Sequence, residues 1–401
     1  MTNPPNQPIE AILASVDPDE LLRLAQALVQ IPSITGHEGL AISQFMVDWL
    51  RQRDVAAEIQ QISSERANVY ARVEGSQPGP RLLLNGHLDT KPGDSMTIEP
   101  FSGELRDNRL WGRGSCDMKG PVAAMMIATA AMAAHRDRIA GTLLFGSEVG
   151  EDGGGWKFEE LVSGPCACDL GICGEPTNLQ VHIGCRGSFP LKIRTIGLAT
   201  HTGTAYEGVN AIQKMCSVIP ALYALPCFHQ VDPIWARAPI NAMIVRGGGK
   251  VSASVPDECE AQFDIRLNPD LPPERLASLI EAKLAELRQA DPELQIEVLT
   301  DWEADGRHYR SLPASELTST HPLVESVSEA LSPILGQRPT FAGFPGGCSA
   351  SIMLKHGIPA VVFGPGDLRQ AHTVDEWLDL DQLQTGCRGY IAIAAKLLAA
   401  R

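Results

Sequence analysis

Apolar and polar positions recur along this chain with two periods, and each stretch predicts an element. Asp17-Pro18-Asp19-Glu20 has the marks of a helix start: Asp as cap, Pro at the first helical position, acids in the first turn. Leu21, Leu22, Leu24, Ala25 and Leu28 then give that helix an apolar face. A second amphipathic helix is expected from about residue 38 to 53, built on Ile42, Phe45, Met46 and Leu50. Residues 81–86 form a nearly continuous apolar run, the pattern of a strand covered by helices on both faces. Residues 120–135, rich in Ala and Met, predict a buried helix, and 142–149 and 169–173 two further strands. Residues 1–16 carry no such period and read as a loose leader.

The texture changes near Phe189. Strands expected at 191–195, 241–246, 260–267 and 295–299 alternate instead of being apolar throughout, with helices at 208–215 and 276–289 between them. That is the pattern of an α+β domain with a one-sided sheet. From about His321 the first texture returns, with a helix at 322–335, a strand at 360–363 and a C-terminal helix from about Leu380. The simplest architecture is one α/β domain, split in sequence by a smaller insert. The boundaries are expected at 1–188 and 304–401 for the split domain and 189–303 for the insert.

Composition narrows the picture. The 401 residues are 44 % hydrophobic and 20 % charged, ordinary values for a globular protein large enough for two or three domains. A net charge of −15 repels phosphate backbones and argues against a nucleic-acid partner. No apolar run reaches the roughly 18–20 residues of a membrane helix. The first residues lack a basic start followed by an apolar run, so no secretion signal is expected. Ten cysteines are scattered without a Cys-x-x-Cys pair, which points to ordinary thiols in a reducing cytosol, Cys166 and Cys168 included.

Five clusters at strand ends could carry chemistry, because ligands of α/β sheets bind there. They are Asn85-Gly86-His87-Leu88-Asp89-Thr90, then Gly112-Arg113-Gly114-Ser115-Cys116-Asp117-Met118-Lys119-Gly120-Pro121, then Gly146-Ser147-Glu148-Val149-Gly150-Glu151-Asp152-Gly153-Gly154-Gly155, then Cys173-Gly174-Glu175-Pro176-Thr177, and finally Gly364-Pro365-Gly366 followed by Ala371-His372-Thr373-Val374-Asp375-Glu376. Each alone has an ordinary reading: a capped strand end, a helix cap at Asp117, a solvated acidic turn. His87 and Asp89, two apart on extended chain, point the same way, so the carboxylate could hold the imidazole's second nitrogen. The remaining histidines, 37, 135, 182, 229, 308, 321 and 356, have no partner pattern and read as surface or packing residues.

Order and spacing change that reading. His-x-Asp, Asp117–Lys119–Gly120, an acid pair about 34 residues on, Gly-Glu-Pro-Thr and a late Gly-Pro-Gly…His together resemble the M20 metallopeptidase family over about residues 20–395. The branch most resembled is that of acetylornithine deacetylase and succinyl-diaminopimelate desuccinylase. The resemblance implies a split zinc-peptidase-like catalytic domain, a mixed sheet between helices, with an inserted α+β lid or dimerisation domain. It implies two Zn²⁺ per subunit, for which Co²⁺ substitutes. His87 and Glu175 would hold one ion, Asp152 and His372 the other, and Asp117 would bridge them. Asp89 would orient His87, and Glu151 would be the general base acting on the bridging water. In the insert, His201 would reach a partner subunit's site and stabilise an oxyanion, while Asn241, Arg266 and Gly347 would bind substrate. Carboxylates and imidazoles suit Zn²⁺, and a guanidinium suits a substrate carboxylate.

Three positions depart from the family pattern. Asp152 stands where a glutamate is usual, and an alternative registration would put Ser147 and Glu148 at the paired positions, leaving a poor enzyme. Cys185 replaces one arginine of the desuccinylase pattern, and the loop at Gly347 lacks a common Asp. The expected activity is cleavage of an N-acyl amino acid at its amide, acetylornithine deacetylase-like. The alternatives are a dipeptidase or carboxypeptidase on short peptides, or an impaired relative that only binds its ligand. A cytoplasmic homodimer formed through the insert, without nucleic-acid or membrane partners, completes the expectation.

Overall fold

A computed structural model describes residues 7–153, 157–249, 251–304 and 307–400. The chain forms two compact units, one of residues 1–184, 316–344 and 348–401, the other of 185–315 and 345–347. The first expected limit, 188/189, lies four residues from the division at 184/185, the second, 303/304, lies twelve residues before the division at 315/316, and Gly347 falls with the second unit.

The first unit opens with α1 (Gln7–Ala14), where the sequence predicts a leader; Ile12 is buried and the helix packs on the C-terminal helix. Two turns are too short to show a period, so that contact and not the local pattern defines it. In α2 (Pro18–Gln30) the Asp17 carboxylate accepts the Asp19 N–H at 2.9 Å, and Leu21, Leu24, Ala25, Leu28 and Val29 are buried. Helix α3 (Ala41–Arg51) is shorter than 38–53. Glu38 is buried against Arg66 and also accepts the Gly36 N–H, so it shapes a turn instead of a helix end. The hairpin β1 (Ala56–Gln61) and β2 (Ala67–Glu74) follows, then β3 (Gln77–His87), the small strands β4 (Glu104–Arg106) and β5 (Arg109–Trp111), and α4 (Gly120–Ala134). Strand β6 (Ala140–Glu148) is buried at every position, α5 (Phe158–Val162) leads to β7 (Leu170–Cys173), and β8 (Val181–Cys185) closes this half.

The second unit contains β9 (Gly187–Ile196), α6 (Ala211–Tyr223), β10 (Ile240–Gly248), β11 (Glu258–Leu267), α7 (Pro273–Ala290) and β12 (Gln295–Leu299), followed by the pair β13 (Trp302–Ala304) and β14 (Arg307–Tyr309). Its four-stranded antiparallel sheet runs β10-β11-β9-β12. Strict alternation along β9 and β11 puts Phe189, Leu191, Ile193, Phe263 and Ile265 on the face covered by α6 and α7, which is the one-sided sheet the sequence predicts.

The chain then contributes β15 (Ser315–Glu316), α8 (Pro322–Leu335), β16 (Phe341–Phe344), α9 (Ser349–Lys355), β17 (Ala360–Val362), β18 (Trp377–Asp379) and α10 (Leu380–Leu397). The large sheet runs β1-β2-β6-β3-β7-β17-β8-β15, with β16 on β8. At its centre β6, β3, β7 and β17 are mutually parallel. Their carboxyl ends therefore share one edge. Apolar side chains fill both faces there: α4 has thirteen buried residues, and Leu82, Leu83, Leu84, Phe145 and Ile172 are each fully buried. This is a mixed sheet between helices, as expected for an α/β domain.

Candidate metal centre

The parallel strands set the site. His87 is the last residue of β3 and pairs in register with Glu148, the last residue of β6; Glu175 lies two residues beyond β7. Glu151 and Asp152 follow β6 on the Gly150 turn, and His372 lies on the segment after β17. His372 adopts φ +59°, a left-handed backbone that is uncommon away from glycine and clusters at functional sites. Asp117 sits in a tight turn at 115–119 ahead of α4, and its peptide bond to Met118 is cis.

These side chains converge on Asp117. Its Oδ1 lies 3.0 Å from His87 Nε2 and its Oδ2 lies 3.3 Å from His372 Nε2. His372 Nε2 is also 2.8 Å from Asp152 Oδ1. One donor group is thus His87, Asp117 and Glu175, and a second is Asp117, Asp152 and His372, with the ligand atoms of each within 4.8 Å of one another. Asp117, which offers one oxygen to each imidazole, is common to both.

Charge is concentrated here. Burial opposes a positive charge on His87, but Asp117, Glu151 and Glu175 together hold its pKa well above the ordinary value. Burial would raise Asp117; the two imidazoles outweigh it and hold the carboxyl below the usual range. Glu151 and Glu175 are pushed well up, first by burial and then by neighbouring carboxylates. Asp117 and Asp152 raise His372 to about 9. Glu151 and Glu175 pushed up, with both imidazoles pushed up around Asp117, mark a surplus of negative charge in a small volume, which is the electrostatic demand for cations.

The donors fit that demand. Two imidazole nitrogens and three carboxylates are the ligand types of Zn²⁺ and similar ions. Asp152 Oδ2 is buried and has no hydrogen-bond partner among the described residues, an acceptor left for a cation. Asp152 reaches His372 although it is one methylene shorter than the expected glutamate. In the other registration, Glu148 is held away by Asn85 Nδ2 at 2.6 Å and by the Ser349 hydroxyl, and it belongs to neither donor group.

Asp89 does its work differently from the expectation. His87 Nδ1 donates to the Asp89 main-chain carbonyl at 2.9 Å, while the nearer carboxylate oxygen is 3.7 Å away. The carboxylate is occupied elsewhere: it accepts the N–H groups of Glu151 and Asp152, each at 3.1 Å, and the Thr35 hydroxyl at 2.8 Å. It fixes the loop that carries the acid pair.

Other contributors were not read as functional from the sequence. Glu376 is buried and accepts the main-chain N–H groups of Cys116 and Asp117 at 2.9 Å and of Gly114 at 3.1 Å, besides Arg113 Nη1 at 2.9 Å. It holds the backbone on which Asp117 is mounted. Its only sequence signal is its place four residues after His372. Lys91 brings its ammonium to Asp152, donating to the main-chain carbonyl and standing 3.2 Å from Oδ1.

The remaining expected residues belong to the second unit. His201 is exposed, and its Nδ1 accepts the Gly203 N–H at 3.0 Å, capping its own turn. Asn241 pairs in register with Asp264, and Arg266 lies two residues further along β11, bonded to Asp264 at 2.9 Å. Asn241, Asp264 and Arg266 share the face of the sheet opposite the core. Gly347 lies in the 345–347 segment.

Similarity to known proteins agrees with this geometry. The model of peptidase family M20/M25/M40 matches residues 83–396. A succinyl-diaminopimelate desuccinylase of Methylorubrum extorquens is 30 % identical over 90 % of this chain and 95 % of its own length. An acetylornithine deacetylase of Edwardsiella ictaluri is 27 % identical over 90 % and 93 %. A probable carboxypeptidase of Aspergillus clavatus is 27 % identical over 96 % and 90 %. Among solved structures, a tripeptidase of Staphylococcus aureus superposes with a TM-score of 0.76 at 21 % identity, covering 94 % of this chain and 98 % of that one. A dinuclear metal-binding M20 peptidase of Bacillus subtilis superposes with a TM-score of 0.68 at 16 % identity, covering 97 % and 99 %. With a family match across most of its length and two donor groups joined by one aspartate, this chain belongs to peptidase family M20/M25/M40 and is a metal-dependent amidohydrolase or peptidase.

Proposed function

We propose that this chain is a two-zinc deacylase that cleaves the amide of N-acyl amino acids, acetylornithine deacetylase-like in its choice of substrate. The observation that supports the reading is that Asp117 is common to two groups of donors, with His87 and Glu175 in one and Asp152 and His372 in the other. Two ions held there would lower the pKa of a shared water and polarise the scissile carbonyl. Asp117 would hold both ions, while Asp89 and Glu376 fix the backbones that carry Asp152 and Asp117. Glu151, adjacent to Asp152 and beside His87, takes a proton from the attacking water and returns it to the leaving amine. Arg266 and Asn241 supply a cation and an amide on one sheet face for the substrate's free carboxylate, and Arg186 lies close enough to Arg266 for the two charges to interact. That second guanidinium, near Arg266 despite Cys185, supports an acidic group as part of the substrate.

The second unit supports a homodimer. Strand β10 is the edge of its sheet and exposes Met243 and Val245, an unpaired edge with apolar side chains. In such a dimer His201 would serve the partner's site, where a positioned donor stabilises an oxyanion. Ten cysteines that form no disulfide among the described residues support a reducing, cytoplasmic setting. The test is hydrolysis of a panel of N-acyl amino acids and dipeptides by enzyme loaded with Zn²⁺ or Co²⁺. Preference for N-acyl amino acids is expected; preference for dipeptides contradicts the deacylase reading, and a strictly monomeric, fully active enzyme contradicts the role of His201.

A further inference from the structure

A second kind of donor cluster lies beside the carboxylate and imidazole centre. Cys173 ends β7 and Cys348 immediately precedes α9, so 175 residues of sequence separate two thiols that the fold brings together. Both are buried. Their sulfurs and a Glu175 oxygen lie within 4.8 Å of one another. The Cys173 thiol is hydrogen-bonded to the Cys348 thiol and accepts the Ala350 N–H, and the Glu148 carboxylate is close enough to act on it electrostatically.

We propose that Cys173, Cys348 and Glu175 form a third cation site, specific for thiophilic divalent ions such as Cd²⁺ or zinc in excess of two equivalents. A tetrahedral ion with metal–sulfur bonds of about 2.3 Å needs sulfurs roughly 3.8 Å apart, a spacing the cluster accommodates. Two sulfurs and one oxygen leave the fourth position to water. Thiol ligands select soft ions, whereas the neighbouring centre offers only oxygen and nitrogen. Each thiol gives its proton to solvent as its bond to the ion forms. Cys166 and Cys168, closer in sequence, belong to no such group among the described residues.

The site has a consequence for catalysis. Glu175 is shared with the His87–Asp117 group, so an ion on the thiols competes for that carboxylate and inhibits the enzyme. This consequence, unlike the site itself, rests on the reading that Glu175 serves the catalytic centre.

The experiment starts from enzyme holding two equivalents of zinc and adds Cd²⁺, counting both metals and recording the near-ultraviolet spectrum and activity. The wild type is expected to bind a third equivalent, with a thiolate-to-cadmium charge-transfer band and loss of activity. Cys348→Ala should lose the third equivalent and the band while keeping two zinc ions, and Cys168→Ala should keep both. Cys173→Ser is a second variant of the same site, and a melting curve on each variant shows that it is folded. A third equivalent that survives Cys348→Ala and Cys173→Ser, or cadmium that only replaces zinc without a thiolate band, overturns the proposal. A third equivalent with the band and no inhibition leaves the site standing and overturns the assignment of Glu175 to the catalytic centre.

Discussion

Asp117 carries two jobs on one side chain, and both depend on its neighbours. Its oxygens face two imidazoles, and its backbone N–H is held by Glu376. The Glu376 carboxylate accepts three main-chain N–H groups and one guanidinium, and its amide analogue has one oxygen for the same donors. Glu376→Gln should therefore weaken metal binding by about 10–100-fold, the usual range for a residue that orients ligands; a competition titration against a chelator measures it. Glu151→Gln separates proton transfer from metal binding. It should lower kcat by about 10²–10⁴-fold with both metals retained, as metal analysis and steady-state kinetics would show. The sequence pointed to His87, Asp117, Asp152, Glu175 and His372 through the order and spacing of their motifs and the family resemblance these carry, each motif alone having an ordinary reading. It assigned no role to Glu376, which only ends the last motif, or to Cys348; their partners lie 259 and 175 residues away and their roles exist only once the strands are assembled.

At the scale of elements, four parallel strands ending on one edge turn remote motifs into one site. The close approach of two strand ends is visible at Gly364. A Cβ there would lie 2.4 Å from the Gly174 carbonyl oxygen and 2.5 Å from that of Glu175. Gly364→Ala should push the Glu175 backbone aside, destabilise the fold by about 1–3 kcal/mol, and reduce metal content below two equivalents; thermal melting and metal analysis check the two effects. The buried strands β3, β6, β7 and β17 were legible because their apolar runs are short and unbroken. The hairpin β1–β2 was not, since charged and polar residues interrupt its alternation, and α1 was not because a single buried isoleucine defines no period. The second unit was easier, its alternating strands and charged helix faces being what a one-sided sheet requires.

At the scale of the whole molecule, a chain of net charge −15 gathers Asp89, Asp117, Glu151, Asp152 and Glu175 around two imidazoles. Without cations these acids repel one another, so bound metal stabilises the native state by mass action and its removal should lower the melting temperature. The effect depends on pH through His372. Its folded, metal-free pKa of about 9 exceeds the ordinary 6.5, so its contribution to stability is present in full below 6.5 and is lost as pH rises through 9. A metal ligating His372 must displace that proton. Apparent affinity of the Asp152–His372 group should thus climb about tenfold per pH unit up to about 9 and then level off; titration in metal buffers measures it, and a flat profile would contradict the His372 assignment.

The most direct test is anomalous diffraction at the zinc absorption edge from crystals grown with zinc. The account predicts two peaks about 3.5–4 Å apart, one against His87 and Glu175, the other against Asp152 and His372, with an Asp117 oxygen on each. A single peak, or a pair that Asp117 does not join, would contradict it.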